Sequence, residues 1–148
     1  MDGIARGEFT FFHLLRVRWS EVDPQGIVFN PNYLAYADLA LTEYMRRIGF
    51  PYPDGLLRLG SDLFAVRCEI NFRASARYDD ELELAARMSR IGRTSVTLLI
   101  GMFRGGELLC DVTMVYVNAS RETQSSMPVP EAFIEAVLAF EKQPPERK

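Results

Sequence analysis

Hydrophobic and polar residues alternate along several stretches of the chain with a period of two, which is the spacing of strands that bury one face. The first stretch covers residues 9–18 and has the lone histidine, His13, on its apolar side, where we expect a core histidine. Later stretches with the same period predict four more strands, at 64–76, 81–91, 94–103 and 107–117. A Gly-Gly hairpin is expected between the last two of them.

The stretch at 64–76 alternates most regularly and predicts the longest strand. Its apolar residues are expected to face inward: Phe64, Val66, Cys68, Ile70, Phe72, Ala74 and Ala76. At about 3.3 Å per residue this strand is roughly 43 Å long, enough to curl around a helix. Cys68 and Cys110 both fall on inward faces and are interpreted as small core residues.

One long helix is predicted between the first strand and the others. It begins at Asn30-Pro31, because Asn is a favoured cap and Pro a favoured first residue of a helix. It ends near Ile48, where Gly49 and Pro51 follow. A short second helix is expected at about 130–141, after Pro130.

Apolar residues cover most of the circumference of the long helix and leave only a narrow polar stripe, formed by Asp38, Thr42 and Arg46. A helix that is apolar nearly all round is a buried helix, so we expect the strands to wrap it. One helix packed against one curved antiparallel sheet is a two-layer α+β domain. We predict a single domain over 1–148, with its core at about 9–118.

Composition and charge exclude several classes of function. The chain has 148 residues and a net charge of −3, without the basic excess of a nucleic-acid binder. It contains no apolar run of the ~18–20 residues that a membrane span needs, and Met1–Arg6 do not resemble a signal peptide. Two cysteines are too few for a disulfide scaffold, and we expect a cytoplasmic protein.

A single histidine also excludes a zinc site built on two or three histidines of one chain, and we expect no metal and no cofactor. Chemistry would then depend mainly on carboxylates and backbone amides. The start of a helix has unpaired N–H groups and a partial positive charge. An N–H group there, such as that of Asn30, can hold a carbonyl oxygen, and the carboxylate of Asp23 lies seven residues upstream. From composition alone, we favour a structural turn for Asp23-Pro24 and a helix cap for Asn30 over catalytic roles.

Residues 17–34, VRWSEVDPQGIVFNPNYL, are similar to the signature of the 4-hydroxybenzoyl-CoA thioesterase family. Members of that family have the hotdog fold, in which an antiparallel sheet wraps one long helix. Many relatives carry Tyr-His where this chain has Phe29-Asn30, whereas the benzoyl-CoA branch lacks that histidine. The resemblance therefore favours the benzoyl-CoA branch.

The resemblance implies a role for several residues of this sequence. Asp23 corresponds to the catalytic carboxylate, either as nucleophile or as general base, and the backbone N–H of Asn30 to the group that polarises the thioester carbonyl. Asp38 lies where a related branch of the family has its catalytic acid, on the helix. We interpret Asp38 first as a residue of the polar stripe that is bonded to Thr42 or lies near Arg46. The residues implied in substrate binding are Gly26, Phe29 and Tyr33 for the thioester, with Arg90 and Arg93 for the phosphates of coenzyme A.

The function that the resemblance implies is hydrolysis of an acyl-CoA thioester, with an aromatic acyl group as one option. The implied thiol carrier is coenzyme A or an acyl carrier protein. The implied assembly is a homodimer or homotetramer whose active sites lie at the subunit interface. Two alternatives stay open on the same fold. One is a hydratase or dehydratase, and the other is a non-catalytic module that binds acyl-CoA.

Overall fold

The computed structural model describes residues 4–148; Met1–Gly3, the first part of the segment in which we expect no signal peptide, lie outside the described residues. Two single turns of 3₁₀ helix precede the long helix, at Arg6–Glu8 and Trp19–Glu21. The three helices are α1 (Pro31–Arg47), α2 (Asp54–Leu57) and α3 (Glu131–Phe140). The six strands are β1 (Phe11–Arg16), β2 (Asp62–Phe72), β3 (Glu81–Ile91), β4 (Ser95–Arg104), β5 (Glu107–Ala119) and β6 (Glu146–Arg147).

The strands form one sheet in the order β1-β3-β4-β5-β2, in which all neighbours are antiparallel. Strand β1 pairs with β3 only as far as Ala86, and the two-residue β6 pairs in parallel with the remaining end of β3. Strand β2 is the last strand of the order, so one of its edges has no partner strand among the described residues. This free edge adjoins the region of the candidate site.

Helix α1 packs against the concave face of the sheet, as the pattern predicts. It buries six side chains, those of Tyr33, Tyr36, Ala37, Ala40, Tyr44 and Met45. The opposite face of the helix is open, and Leu34, Ala35 and Asp38 are exposed. The sheet wraps the helix as predicted, but the helix is not buried on all sides within the single chain, because one sheet layer covers only one side of a helix.

Strand β2 differs most from its prediction. It ends at Phe72 rather than at residue 76, because the backbone N–H groups of Arg73 and Ala74 both donate to the carbonyl of Leu109 and turn the chain out of the ladder. A bulge interrupts the register between Ala65 and Arg67. Three residues expected to face inward are exposed: Val66 (59%), Phe72 (57%) and Cys68.

The other predicted strands are confirmed within one or two residues at each end, and β3 has the predicted bounds. Gly105 and Gly106 form the β4–β5 turn with φ values of 56° and 89°, the left-handed conformation that a tight hairpin requires. Alternate residues of the first stretch are buried, and His13 is half-buried among them. The predicted core position of Cys110 is also confirmed.

Candidate active site

Asp23 begins a tight hairpin that its local sequence specifies. The Asp23 N–H donates to the Ile27 carbonyl (2.9 Å), and the Gly26 N–H donates to the Asp23 carbonyl (2.8 Å). Pro24 supplies the fixed φ of a turn, and Gly26 has a φ of 80°, which glycine adopts without strain. Val22 and Val28 close the hairpin as a β-bridge. The loop is therefore ordered by its own backbone.

The Asp23 carboxylate has one oxygen committed to the turn and one oxygen free. Its Oδ1 accepts the Gln25 N–H at 2.8 Å, and within residues 4–148 nothing donates to Oδ2. The side chain is half-buried in an open depression of about 470 Å³, beside the exposed rings of Trp19 and Tyr78. Asp23 is thus both the turn former that its sequence predicts and an acid with a free oxygen.

The start of helix α1 leaves one backbone donor unpaired. The prediction that Asn30 caps the helix with its side chain is wrong: Asn30 is itself helical, and its side chain makes no capping bond. Instead, the N–H groups of Asn32 and Tyr33 donate to the Phe29 and Asn30 carbonyls (2.8 and 3.2 Å). The N–H of Asn30 has no acceptor in the described part of the chain. It is the group for which the family resemblance implies contact with a thioester oxygen.

Glu21, which sequence reasoning did not single out, ties the hairpin to the helix. Its carbonyl accepts both the Phe29 N–H and the side-chain amide of Asn32, each at 2.9 Å. Its carboxylate, only 9% exposed, accepts the hydroxyl of Tyr36 at 2.9 Å as well as the backbone and guanidinium of Arg18. Burial raises the pKa of this carboxyl, but the hydrogen bonds from Arg18 and Tyr36 outweigh it and leave the pKa below the ordinary value.

Asn30 lines a second open depression, of about 290 Å³, between the helix start and the end of β2. Tyr33 forms part of it but is only 3% exposed, and its hydroxyl accepts the Ala76 N–H at 3.0 Å. The pKa of Tyr33 is raised by this burial. Of the other residues expected to bind the thioester, Phe29 and Gly26 are exposed, and Gly26 lines the depression of Asp23.

Asp38 lies elsewhere, on the open face of α1. It lines two adjoining depressions of about 360 Å³ each, together with Ala65 and Tyr116. Asp38 is bonded to Thr42 as expected, but the Thr42 hydroxyl donates to the backbone carbonyl of Asp38 and not to its carboxylate, and Arg46 pairs with Glu43. Tyr116, whose pKa is raised first by burial and then by the charge of Asp38, is its ionisable neighbour.

Arg90 and Arg93 are not brought together with Asp23 in one chain. Both are exposed at the turn between β3 and β4, where Arg90 lies 4.0 Å from the carboxylate of Glu146. The hairpin of Asp23 is at the other end of β3, because Val28 donates to Ala76 just before that strand begins. The strand separates the two groups by about 30 Å. A phosphate contact from these arginines to the same site would require a second copy.

Residues 4–148 contain no group of three or more His, Cys, Asp or Glu side chains placed to hold a metal ion. None of the helices in this part of the chain is long and apolar enough to cross a membrane.

Comparison with known proteins gives a family and a fold. A family model described as the thioesterase superfamily matches residues 25–111, a range that begins two residues after Asp23 and includes Asn30 and Asp38. The chain is 29% identical over 94 residues to a protein of Aquifex aeolicus (strain VF5) named "Putative esterase", with 64% of this chain and 73% of that protein covered.

Two solved structures show the same architecture. A gentisyl-coenzyme A thioesterase superposes with a TM-score of 0.76 at 22% identity, over 83% of this chain and 98% of that chain. A DHNA-CoA thioesterase from Staphylococcus aureus superposes with a TM-score of 0.77 at 19% identity, over 84% of this chain and 86% of that chain. These likenesses confirm the predicted hotdog fold.

Proposed function

The chain belongs to the thioesterase superfamily, and we propose that it hydrolyses acyl-CoA thioesters to a free acid and coenzyme A. The observation that carries this proposal is that two groups seven residues apart in the sequence are both free. Asp23 has an unpaired carboxylate oxygen, and Asn30 has an unpaired N–H at the positive end of a 17-residue helix. A thioester carbonyl between them is polarised at its oxygen and open to attack at its carbon.

In the proposed reaction the Asp23 carboxylate attacks the carbonyl carbon or removes a proton from the water that does so. The π-electron pair moves to the carbonyl oxygen, where the Asn30 N–H stabilises the negative charge. The C–S bond then breaks, and the coenzyme A thiolate leaves and takes up a proton. In the nucleophilic course, water then hydrolyses the acyl–Asp23 anhydride, breaking the new C–O bond to release the acid and restore the carboxylate. In the general-base course, the attacking water already supplies the oxygen of the acid. We propose that neither course needs a metal or a cofactor.

We propose an aromatic acyl group as the preferred substrate, as in the 4-hydroxybenzoyl-CoA branch that the signature resembles. Two observations support this. The rings of Tyr33 and Phe72 meet edge to face, with centroids 5.5 Å apart, in the depression of Asn30, and aromatic rings favour this arrangement with one another. The two structural neighbours described above are named for thioesters of hydroxylated aromatic acids.

We also propose that the protein works as a homodimer or homotetramer, joined at least along the free edge of β2. Exposed apolar residues lie along this edge and on the adjacent face of α1, among them Val66, Phe72 and Leu34. Pairing of two such edges covers these residues and removes an unpaired strand edge.

The two cysteines are free thiols, which suits the cytoplasmic location that we propose.

The test is a thiol-release assay with benzoyl-CoA and a series of aliphatic acyl-CoA substrates. We expect Asp23→Asn to lower kcat by about 10²–10⁴-fold, the usual contribution of a positioned acid or base. Asp79→Asn is the matched control, because Asp79 is exposed in a turn with a φ of 71°, which Asn also adopts.

Each alternative has its own outcome. Full activity of Asp23→Asn with loss of activity in Asp38→Asn would assign the chemistry to Asp38 instead. Tight acyl-CoA binding without thiol release would identify a binding module, and addition of water to an enoyl-CoA without thiol release would identify a hydratase. Faster turnover of aliphatic than of aromatic thioesters would contradict the proposed substrate class.

A further inference from the structure

The depression beside Asn30 has one donor of the helix start free, the Asn30 N–H. Pro31 has no N–H, and those of Asn32 and Tyr33 are taken by carbonyls of the preceding turn. A tetrahedral intermediate places a full negative charge on the former carbonyl oxygen, and such sites commonly supply two donors to it. A side chain that lines the same depression can supply a second donor.

Arg73 is the cationic side chain that lines this depression. Its Nε donates to the carboxylate of Asp111, which is 4% exposed and whose other oxygen accepts the side-chain amide of Asn71 at 2.9 Å. The Arg73 backbone is also fixed, because its N–H and that of Ala74 donate to the same carbonyl of Leu109. The guanidinium is thus anchored at Nε and on its main chain.

The two terminal nitrogens of Arg73 remain available. Residues 4–148 provide no acceptor for them, and the side chain is 37% exposed. The neighbouring Arg104 differs, since its terminal nitrogens donate to Ser75, Asp80 and Glu107. A planar guanidinium held at Nε presents its remaining N–H groups in a fixed direction, which favours binding of an oxygen anion.

We propose that Arg73 is a second catalytic donor of this site, binding the thioester oxygen together with the Asn30 N–H. The inference rests on the proposed thioesterase function. When the new C–O bond forms and the C=O π pair moves to oxygen, the charge develops beside the guanidinium; when the C–S bond breaks, the pair returns and the charge leaves as thiolate. Arg73 donates hydrogen bonds throughout and transfers no proton.

The test compares Arg73→Gln and Arg73→Lys with Arg77→Gln in the thiol-release assay, with kcat and KM measured separately. We expect Arg73→Gln to lower kcat by about 10²-fold or more with KM changed less than about threefold, because the contact strengthens in the transition state. Arg73→Lys keeps the charge and should recover part of kcat. Arg77 is exposed in the same loop and its guanidinium makes no ion pair with the described residues, so Arg77→Gln should behave as wild type.

Arg73→Gln leaves the buried carboxylate of Asp111 without its cation, so that variant can fail to fold. The double variant Arg73→Gln/Asp111→Asn removes both charges, and its fold is checked by circular dichroism. A folded double variant with kcat lowered about 10²-fold supports the proposal. Wild-type kcat in a folded Arg73 variant, or a rise in KM alone, overturns it while the thioesterase function stands. A wild-type protein that releases no thiol from any substrate overturns both.

Discussion

Tyr36 on helix α1 donates a hydrogen bond of 2.9 Å to the buried carboxylate of Glu21, which precedes the hairpin of Asp23 by two residues. The same Glu21 accepts the Phe29 N–H at its carbonyl, next to the donor on Asn30. One residue therefore links the hairpin that carries Asp23 to the helix that begins just after Asn30. In the proposed reaction both groups act on one carbonyl, so the spacing of the proposed site depends on Glu21 and Tyr36.

Tyr36→Phe should destabilise the protein by about 1.5–3 kcal/mol, because it removes a hydrogen bond to a buried charge. We also expect kcat to fall, since the hairpin loses one of its links to the helix. Urea denaturation and the thiol-release assay measure the two effects. The control is Tyr52→Phe, an exposed tyrosine whose hydroxyl has no partner among residues 4–148. Equal losses in both variants would show that the link has no special importance.

Gly26→Ala should destabilise the protein by about 1–2 kcal/mol, because Gly26 has a φ of 80° that an L-residue adopts only with strain. The added Cβ would meet nothing within 4 Å, so the cost is conformational rather than steric. Gly7→Ala is the control, since Gly7 is equally open and does not have a left-handed φ. Gly26→Asn should recover most of the stability, and thermal unfolding measures all three. A loss in Gly26→Asn as large as in Gly26→Ala would contradict this account.

The sequence predicts those elements best whose signals are local. Helix α1 has a favoured first residue, Pro31, and a stop at Gly49, and its observed bounds agree with both. Strand β3 agrees at both ends, since it lies between a turn and Gly92. The turn at Asp23 is likewise determined by four consecutive residues, Asp23 to Gly26. In each of these cases the backbone conformation is determined within a few positions.

The sequence predicts poorly what depends on distant partners. The alternation along β2 places Val66 and Phe72 on an apolar face, but the pattern does not tell whether the chain itself or another copy covers that face. Glu21 stands in a polar stretch that the sequence marks only as a turn, and the partner of its buried carboxylate, Tyr36, is fifteen residues away. The sequence predicts a free donor at the helix start, and the N–H of Asn30 is free. The neighbouring N–H groups of Asn32 and Tyr33 donate to backbone carbonyls rather than to the predicted side-chain cap.

The substitution Glu141→Gln tests a buried acid that lies against the end of β3 that is not paired with β1. Its Oε2 accepts the hydroxyl of Tyr44 and the Met88 N–H, while its Oε1 is buried and has no hydrogen-bond partner among residues 4–148. Burial raises the pKa of Glu141 despite these bonds and the nearby charge of Arg87. A raised folded-state pKa gives stability that is present below the unfolded pKa and is lost as the pH rises through the folded pKa.

Wild type should therefore lose stability relative to Glu141→Gln as the pH rises from about 4.5, the ordinary pKa of the group, to neutrality. Urea denaturation of both proteins at several pH values measures the difference. Every other titrating group, Glu21 included, is common to the two proteins and cancels. A difference that is constant with pH, or that shrinks as the pH rises, would contradict a raised pKa.

Val66→Lys tests the assembly proposed along β2. Val66 is the bulged residue of this free edge, and a lysine there would carry two like charges into a symmetric contact, one from each copy. We expect the dissociation constant of the assembly to rise by about 100-fold or more, as measured by light scattering over a concentration series, with thiol release lost in parallel if sites lie at the interface. Leu138→Lys is the control, because Leu138 is similarly exposed but lies on α3. An unchanged molar mass in Val66→Lys would contradict association through this edge.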